Sequence, residues 1–269
     1  MTDLLSELST AADSEKGDNG RVGIVGGSIE YPGPPALSGL AALRTGTDVA
    51  RILTAERAVD TVAGFSPNLL AGRFTGDVLT ADSVSKALAL AEWADAVVIG
   101  PGLEDPHPDA VREVVEGIDV PLVIDATAIG AALEADVGTA VVTPDAAEVE
   151  RIEDEYGSLD DFAREMEVVV ISKGAEDEII DGEQRWTNDV GSPAMTVAGT
   201  GDTLAGIVGS LLGQGLAPAT AVRLGTWIAG RAGVLAADEY GSGMVATDVI
   251  ERVPRAIREG QEDPDVEAP

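Results

Sequence analysis

Residues 22–44 read VGIVGGSIEYPGPPALSGLAALR, and the class of the fold can be read from this stretch. Val22–Val25 is a short apolar run without polar alternation, the pattern of a strand buried on both faces. It breaks at Gly26-Gly27-Ser28, and Pro34–Arg44 then reads as a helix with proline near its first turn. Strand, glycine turn and helix recur downstream. Asp48–Leu53 is the next strand, and a helix around Asp82–Ala91 leads to the strand Ala96–Ile99, which ends at Gly100-Pro101-Gly102. Val111–Val115 is helical, Leu122–Ile124 is a strand ending at Asp125, and Ala140–Val142 is a strand ending at Thr143-Pro144. Helical patterns at Ala146–Glu153 and Asp160–Met166 precede a strand over Glu167–Ile171 that runs out at Ser172-Lys173-Gly174. Ile179–Ile180 and Arg185–Thr187 flank Asp181-Gly182, a hairpin signal, and Asp202–Leu212 and Ala217–Ala237 are helical. The alternation predicts an α/β fold, a doubly wound and mostly parallel sheet with helices on both faces. With 269 residues and no evident linker, the expectation is one domain over residues 1–269, with 1–14 and 259–269 as flexible tails. In such folds ligands sit beyond the carboxyl ends of the strands. Those ends carry Gly27, Gly102, Asp125, Pro144 and Lys173.

Composition narrows the chemistry. Apolar residues make up 45% of the chain but aromatics only 3%, so the core must be built from Ala, Val, Leu and Ile. There is no cysteine and one histidine, His107, which excludes disulfides, thiolate metal sites and an imidazole-built zinc centre. Any metal is then expected to be a hard cation such as Mg²⁺, held by oxygens and substrate phosphates. A net charge of −31 disfavours nucleic acid and anionic membranes as partners. The acidic balance, with Lys16, Lys86 and Lys173 as the only lysines, suits a protein working in high salt. There the Debye length falls to roughly 3 Å at 1 M and self-repulsion is screened. No segment has the length and purity of a membrane span, and the acidic start lacks the basic region of a signal peptide, so a cytoplasmic location is expected.

The sharpest motif is AGTGDTLAG, residues 198–206, in which small residues lead into a helix. Exposed N–H groups and the positive end of the helix dipole make such an entrance an anion site, and glycine lets a phosphate approach the backbone. Asp202 in the first turn reads either as a good helix-starting residue or as a general base that takes a hydroxyl proton. Lys173-Gly174 reads either as a cap or salt bridge or as a contact to nucleotide phosphate. Gly26-Gly27-Ser28 fits neither the dinucleotide GxGxxG nor the P-loop. Asp145 and Glu148 have the spacing of a capping box. His107 reads as a solvated loop residue, and Trp186 and Trp227 as packing.

Taken in order, EKGDNGRVGIVGGSIEYPGPPALSGLAALRTGTD (residues 15–48), VVIGPGLE (97–104), LVIDATAIG (122–130), TPDAAE (143–148), ISKG (171–174) and AGTGDTLAG (198–206) resemble the ADP/ATP-dependent NAD(P)H-hydrate dehydratase family, whose fold is ribokinase-like. The likeness spans about Glu15 to Arg258. It implies a lyase that returns hydrated NADH or NADPH to the normal cofactor, with ADP or ATP as phosphoryl donor and Mg²⁺ as charge partner. ADP use, yielding AMP and phosphate, is the form expected here. The resemblance places substrate near Gly33, Gly102, Asp145 and Asp202, with Asp202 as the catalytic aspartate. It places the nucleotide near Lys173, Gly174, Ala175, Glu176 and Asp177, and near Gly199, Thr200 and Gly201. It also implies a homo-oligomer, a dimer or tetramer. No counterpart of the epimerase domain that is fused to many members of the family is expected within these residues. The sequence departs from the family pattern where Asp145, Ala146 and Ala147 replace His or Asn followed by Gly, in the extra prolines of Tyr31–Pro35, and at Thr127, where an acidic residue is frequent. Two other functions fit the same residues: a vitamin or sugar kinase of this fold, for example of the hydroxyethylthiazole kinase type, or a non-catalytic nucleotide-binding homologue.

Overall fold

A strand flanked by helices on both sides must be apolar at every position, and the short Val/Ile/Ala runs assemble accordingly. The computed structural model describes Leu8 and residues 15–262. Nine strands form one sheet: β1 (Arg21–Val25), β2 (Val49–Thr54), β3 (Leu69–Arg73), β4 (Ala96–Ile99), β5 (Leu122–Ile124), β6 (Ala140–Val142), β7 (Val169–Ser172), β8 (Asp177–Ile180) and β9 (Arg185–Asn188). Their order is β3-β2-β1-β4-β5-β6-β7-β8-β9. The first seven pair in parallel, with Ile24 opposite Ile52 on one side and Val98 on the other. β8 and β9 add an antiparallel edge. The chain leaves β1 in one direction along the sheet and resumes at β4 in the other, so the topological switch lies between the ends of β1 and β4.

Ten helices cover the sheet among the described residues: α1 (Gly33–Thr45), α2 (Val59–Gly64), α3 (Ala81–Trp93), α4 (Pro108–Glu116), α5 (Ile129–Ala132), α6 (Ala146–Tyr156), α7 (Leu159–Glu165), α8 (Thr200–Gly213), α9 (Pro218–Tyr240) and α10 (Ala246–Glu262). Strand alternation divides the core in two. Val22, Ile24, Val98, Val123 and Val141 pack toward α1, α8, α9 and α10. Val25, Val97, Ile99, Ile124 and Val142 pack toward α3, α4, α6 and α7. Trp227 is buried in the first of these cores, and Arg223 stacks 5.0 Å from the Trp186 ring centre, so both tryptophans are packing residues.

The predicted hairpin is present. Gly182 has φ +85°, and Asp181 Oδ1 accepts from the N–H groups of Glu183 and Gln184 at 2.9 and 2.6 Å. The capping box at α6 is also formed. Asp145 Oδ1 accepts from the N–H of Ala147 and of Glu148 at 2.9 Å each, and Glu148 accepts from the Asp145 N–H at 2.8 Å. Asp145→Ala is expected to cost about 1 kcal/mol, lowering the melting temperature by about 2–4 °C. An unchanged melting temperature would show that the reach of Glu148 back to residue 145 carries the cap alone.

Four elements have no counterpart in the sequence expectation: the short edge strand β3, the six-residue α2, the four-residue α5, and α10, which contains Pro254. Val249, Ile250, Val253 and Ala256 nonetheless bury one face of α10 against the core. The expected tail from 259 is corrected for Glu259–Glu262, which continue α10. Glu259 is held there by Arg231 at 2.6 Å and Arg255 at 2.8 Å. The rest of that tail, residues 263–269, and residues 1–14 apart from Leu8 lie outside the described residues. Leu8 packs against the core.

Candidate active site

The entrance to α8 is made of residues too small to close it. Gly199 occupies the left-handed region at φ +95°, and no side chain caps the helix. The first-turn N–H groups are therefore left for an anion. Thr200 Oγ1 donates to the carbonyls of Met195 and Val197 at 3.0 Å each, which pins the preceding loop. Helix α8 begins at Thr200, two residues before the position expected from sequence, because glycine rather than aspartate makes the turn into it. Asp202 lies in its first turn. Ser38 Oγ of α1 donates to the Asp202 carbonyl at 2.9 Å, and a Cβ on Gly206 would sit 2.1 Å from the Ser38 carbonyl oxygen. The close crossing of α1 and α8 thus sets where Asp202 stands.

The Asp202 side chain is half-buried, and its pKa is pushed up to about 6, first by burial, then by the Asp125 carboxylate, with Lys173 pulling it back. Asp125, at the end of β5, is 3% exposed. Its Oδ1 accepts from Thr143 Oγ1 at 2.5 Å and from Lys173 Nζ at 3.3 Å. The ammonium lies over the start of α8, since a Cβ placed on Gly201 would be 3.4 Å from Nζ. Burial also raises the pKa of Glu148 and of Asp177, and the Lys173 charge opposes the rise at both. One lysine thus serves carboxylates from four segments of chain.

Beside this cluster a cavity of about 580 Å³ opens between α8, the β7–β8 turn and the loop after β9. Among its lining residues are Lys173, Gly174, Asn188, Met195, Thr200 and Gly201. The wall from the loop stands close to α9 because Gly230 has no side chain. A Cβ there would lie 1.8 Å from the Val190 carbonyl oxygen. Of the residues expected around a nucleotide, Lys173, Gly174, Ala175, Asp177, Thr200 and Gly201 meet at this cavity, and Glu176 and Gly199 do not line it. Glu176 is exposed on a turn closed by the Gly174 N–H on Asp177 Oδ1 at 3.2 Å, and Gly199 backs onto Leu37 and Ala246.

The expected substrate residues lie along the same sheet edge but outside the cavity lining. Gly33 opens α1, and Gly102, after β4, approaches the Tyr31 carbonyl so closely that a Cβ would be 2.5 Å from it. These two are brought together at the switch point. Asp145 is exposed at the start of α6. His107 is exposed, as expected. A hollow of about 360 Å³ beside Gly130, Glu134 and Arg151 contains none of these groups.

The sequence places Asp125 at a strand end and Asp145 and Glu148 at capping-box spacing, and gives no catalytic role to Asp125 or Glu148. Its signal for Asp125 was the position itself, an ionisable residue ending an otherwise apolar strand. Asn188 to Thr196 gave no signal, since nothing local marks a loop as a cavity wall. The described residues contain no group of three or more His, Asp or Glu side chains able to hold a metal ion. The donor set among the described residues therefore does not amount to a protein cage for Mg²⁺. No described helix is long and apolar enough to cross a membrane.

The sheet order, the glycine-led helix and the strand-end cluster define an α/β protein of the ribokinase-like class. A family model described as NAD(P)H-hydrate dehydratase matches residues 22–255, and the chain belongs to that family. An ADP-dependent (S)-NAD(P)H-hydrate dehydratase from Haloterrigena turkmenica is 53% identical over 258 residues, covering 96% of this chain and 100% of the relative. One from Natrialba magadii is 52% identical over the same share of both chains. The crystal structure of ADP/ATP-dependent NAD(P)H-hydrate dehydratase from Bacillus subtilis, co-crystallised with ATP/Mg²⁺, has a TM-score of 0.81 at 25% identity, covering 97% of each chain.

Proposed function

We propose that this protein is a lyase that dehydrates hydrated NADH or NADPH at the expense of ADP, releasing AMP and phosphate. The observation that carries the proposal is Asp202 within reach of the Lys173 charge at the uncapped start of α8, whose Thr200 and Gly201 line a cavity of nucleotide size. The named activities of relatives 53% and 52% identical over their full length support it.

In this reading ADP occupies the cavity with its phosphates toward the N–H groups of α8 and the Lys173 ammonium. The hydrated nicotinamide lies on the Gly33–Gly102 side. Asp202 takes the proton of the ring hydroxyl as its oxygen forms a bond to the terminal phosphorus. The bond from that phosphorus to the AMP oxygen breaks, and AMP leaves with the electron pair. The C–O bond of the new phosphate ester then breaks and its electron pair leaves with phosphate, while the neighbouring ring carbon gives its proton to water and the C–H pair restores the double bond. Little covalent chemistry falls to the protein, so its contribution is positioning and charge stabilisation. Mg²⁺ would arrive on the nucleotide phosphates, neutralising charge that a −31 protein otherwise repels.

The test uses purified protein in molar KCl with Mg²⁺ and hydrated NADPH, following recovery of the reduced-nicotinamide absorbance with ADP and, separately, with ATP. Recovery with stoichiometric AMP is expected with ADP. A phosphorylated product that persists, without recovery, would mean a kinase instead. Nucleotide binding with no turnover of either kind would mean a non-catalytic homologue.

A further inference from the structure

Asp125 has no part in the steps above, yet it is the most enclosed carboxylate at the site. Three strand ends converge on one of its oxygens: its own β5, Thr143 after β6, and Lys173 after β7. Both neighbours approach Oδ1, so the carboxylate is oriented by Thr143 and in turn orients the ammonium. The side chain is 4% exposed and that of Lys173 26%. Among the described residues no ion pair joins Lys173 to Asp202, although Lys173 stands over the turn that carries it.

An untethered ammonium near a half-buried carboxylate would be drawn to it. Such a pair would neutralise the base and withdraw the cation from incoming phosphate. We infer that Asp125 is a positioning residue, which tethers Lys173 over the start of α8 and so keeps both the cation and the Asp202 carboxylate free for the reactants. The other charged groups facing Lys173 are Glu148 from α6 and Asp177 from β8, and those acting on Asp202 are Asp125 and Lys173. Of these carboxylates, only Asp125 is ion-paired with the lysine.

The inference rests on the dehydratase reading, and its test separates the two. Wild type, Asp125→Asn and Thr143→Val are compared by kcat/KM for hydrated NADPH across pH 5–9, and by calorimetric ADP binding over the same range. For Asp125→Asn the acidic limb should move down by about half a pH unit or more, since a neighbouring negative charge is lost and the lysine is released toward Asp202. kcat should fall by about 10²-fold, the scale of a 1 Å misplacement. ADP affinity should change little, because the loss of a negative group from the phosphate site offsets the partial withdrawal of the Lys173 ammonium. Thr143→Val keeps the charge but frees the carboxylate to turn, so kcat should fall with the limb unmoved. An unmoved limb in Asp125→Asn would overturn the inference. So would a joint loss of ADP affinity and rate in that variant, the signature of simple structural damage. If Asp125→Asn does not fold, wild-type turnover in Thr143→Val would overturn it. An inactive wild type would instead sink the dehydratase reading. The pH dependence of ADP binding in wild type and Asp125→Asn would then still decide the role of Asp125.

Discussion

Asp202→Asn is expected to lose turnover by about 10²–10⁴-fold, the usual contribution of a general base, while retaining ADP binding and gaining stability. The two effects have one cause. Desolvation makes the carboxylate a stronger base than an exposed aspartate, and the same desolvation is a cost to the folded state. The pKa rises from 3.8 to about 6, so between those values the folded protein holds more protons than the unfolded chain at this site. Stability contributed by the site is therefore greatest below about pH 4 and declines as pH rises through 6. A shift of about two units corresponds to at most ~3 kcal/mol. Asparagine, uncharged at every pH, escapes the decline. Thermal unfolding of both proteins at pH 4, 5, 6 and 7 should give curves that coincide at the acidic end and separate above it, the variant melting higher. A variant that melts lower at pH 7 would show Asp202 to be a structural anchor, and full turnover in it would remove Asp202 from the chemistry.

Gly100→Ala should be the most damaging methyl group that can be added at the site. Gly100 ends β4 at φ +120°, and a Cβ there would lie 1.7 Å from the Asp125 carbonyl oxygen. Its N–H donates to the Val25 carbonyl at 3.0 Å, and the Asp125 N–H donates to the Ile99 carbonyl at 3.0 Å, so three strand ends are tied at this point. The backbone cannot move aside without displacing Asp125. Left-handed strain of about 1–2 kcal/mol adds to about 1–3 kcal/mol for overpacking. A drop in the urea midpoint is expected, with turnover falling further than stability because the Asp125–Lys173 pair shifts with the strand end. A variant with wild-type midpoint and rate would show that the switch point yields more readily than its hydrogen bonds suggest.

How much of this was legible beforehand depends on whether the signal is local. Val22–Val25, Ala96–Ile99 and Leu122–Ile124 are apolar throughout because both their faces are covered, and that needs no knowledge of the neighbours. β3 escaped because LLAGR at a sheet edge is half exposed and follows neither a buried nor an alternating pattern. α10 escaped because Pro254 interrupts a sequence whose buried positions still recur on one face. At the site, the glycine entrance to α8, Asp202 and Lys173 were visible as residue types in telling positions. The family resemblance added Ala175 and Glu176 on the β7–β8 turn and Asp177 at the start of β8, which carry no local signal of their own.

The sequence by itself determined the class of the fold, the edge of the sheet at which Asp125, Lys173 and Asp202 gather, and the acidic, cysteine-free composition that rules out thiolate and imidazole metal sites. It could do so because periodicity, turn residues and composition are properties of neighbouring residues or of the whole. Only the tertiary structure decided that Asp125, Thr143 and Lys173 form one unit, that Val190 can wall a cavity against Gly230, and that burial raises the Asp202 pKa to about 6. Those facts depend on which strand ends lie side by side and on how much water remains between them. Strand order and desolvation are settled by packing across the whole chain, and no local run of residues contains them.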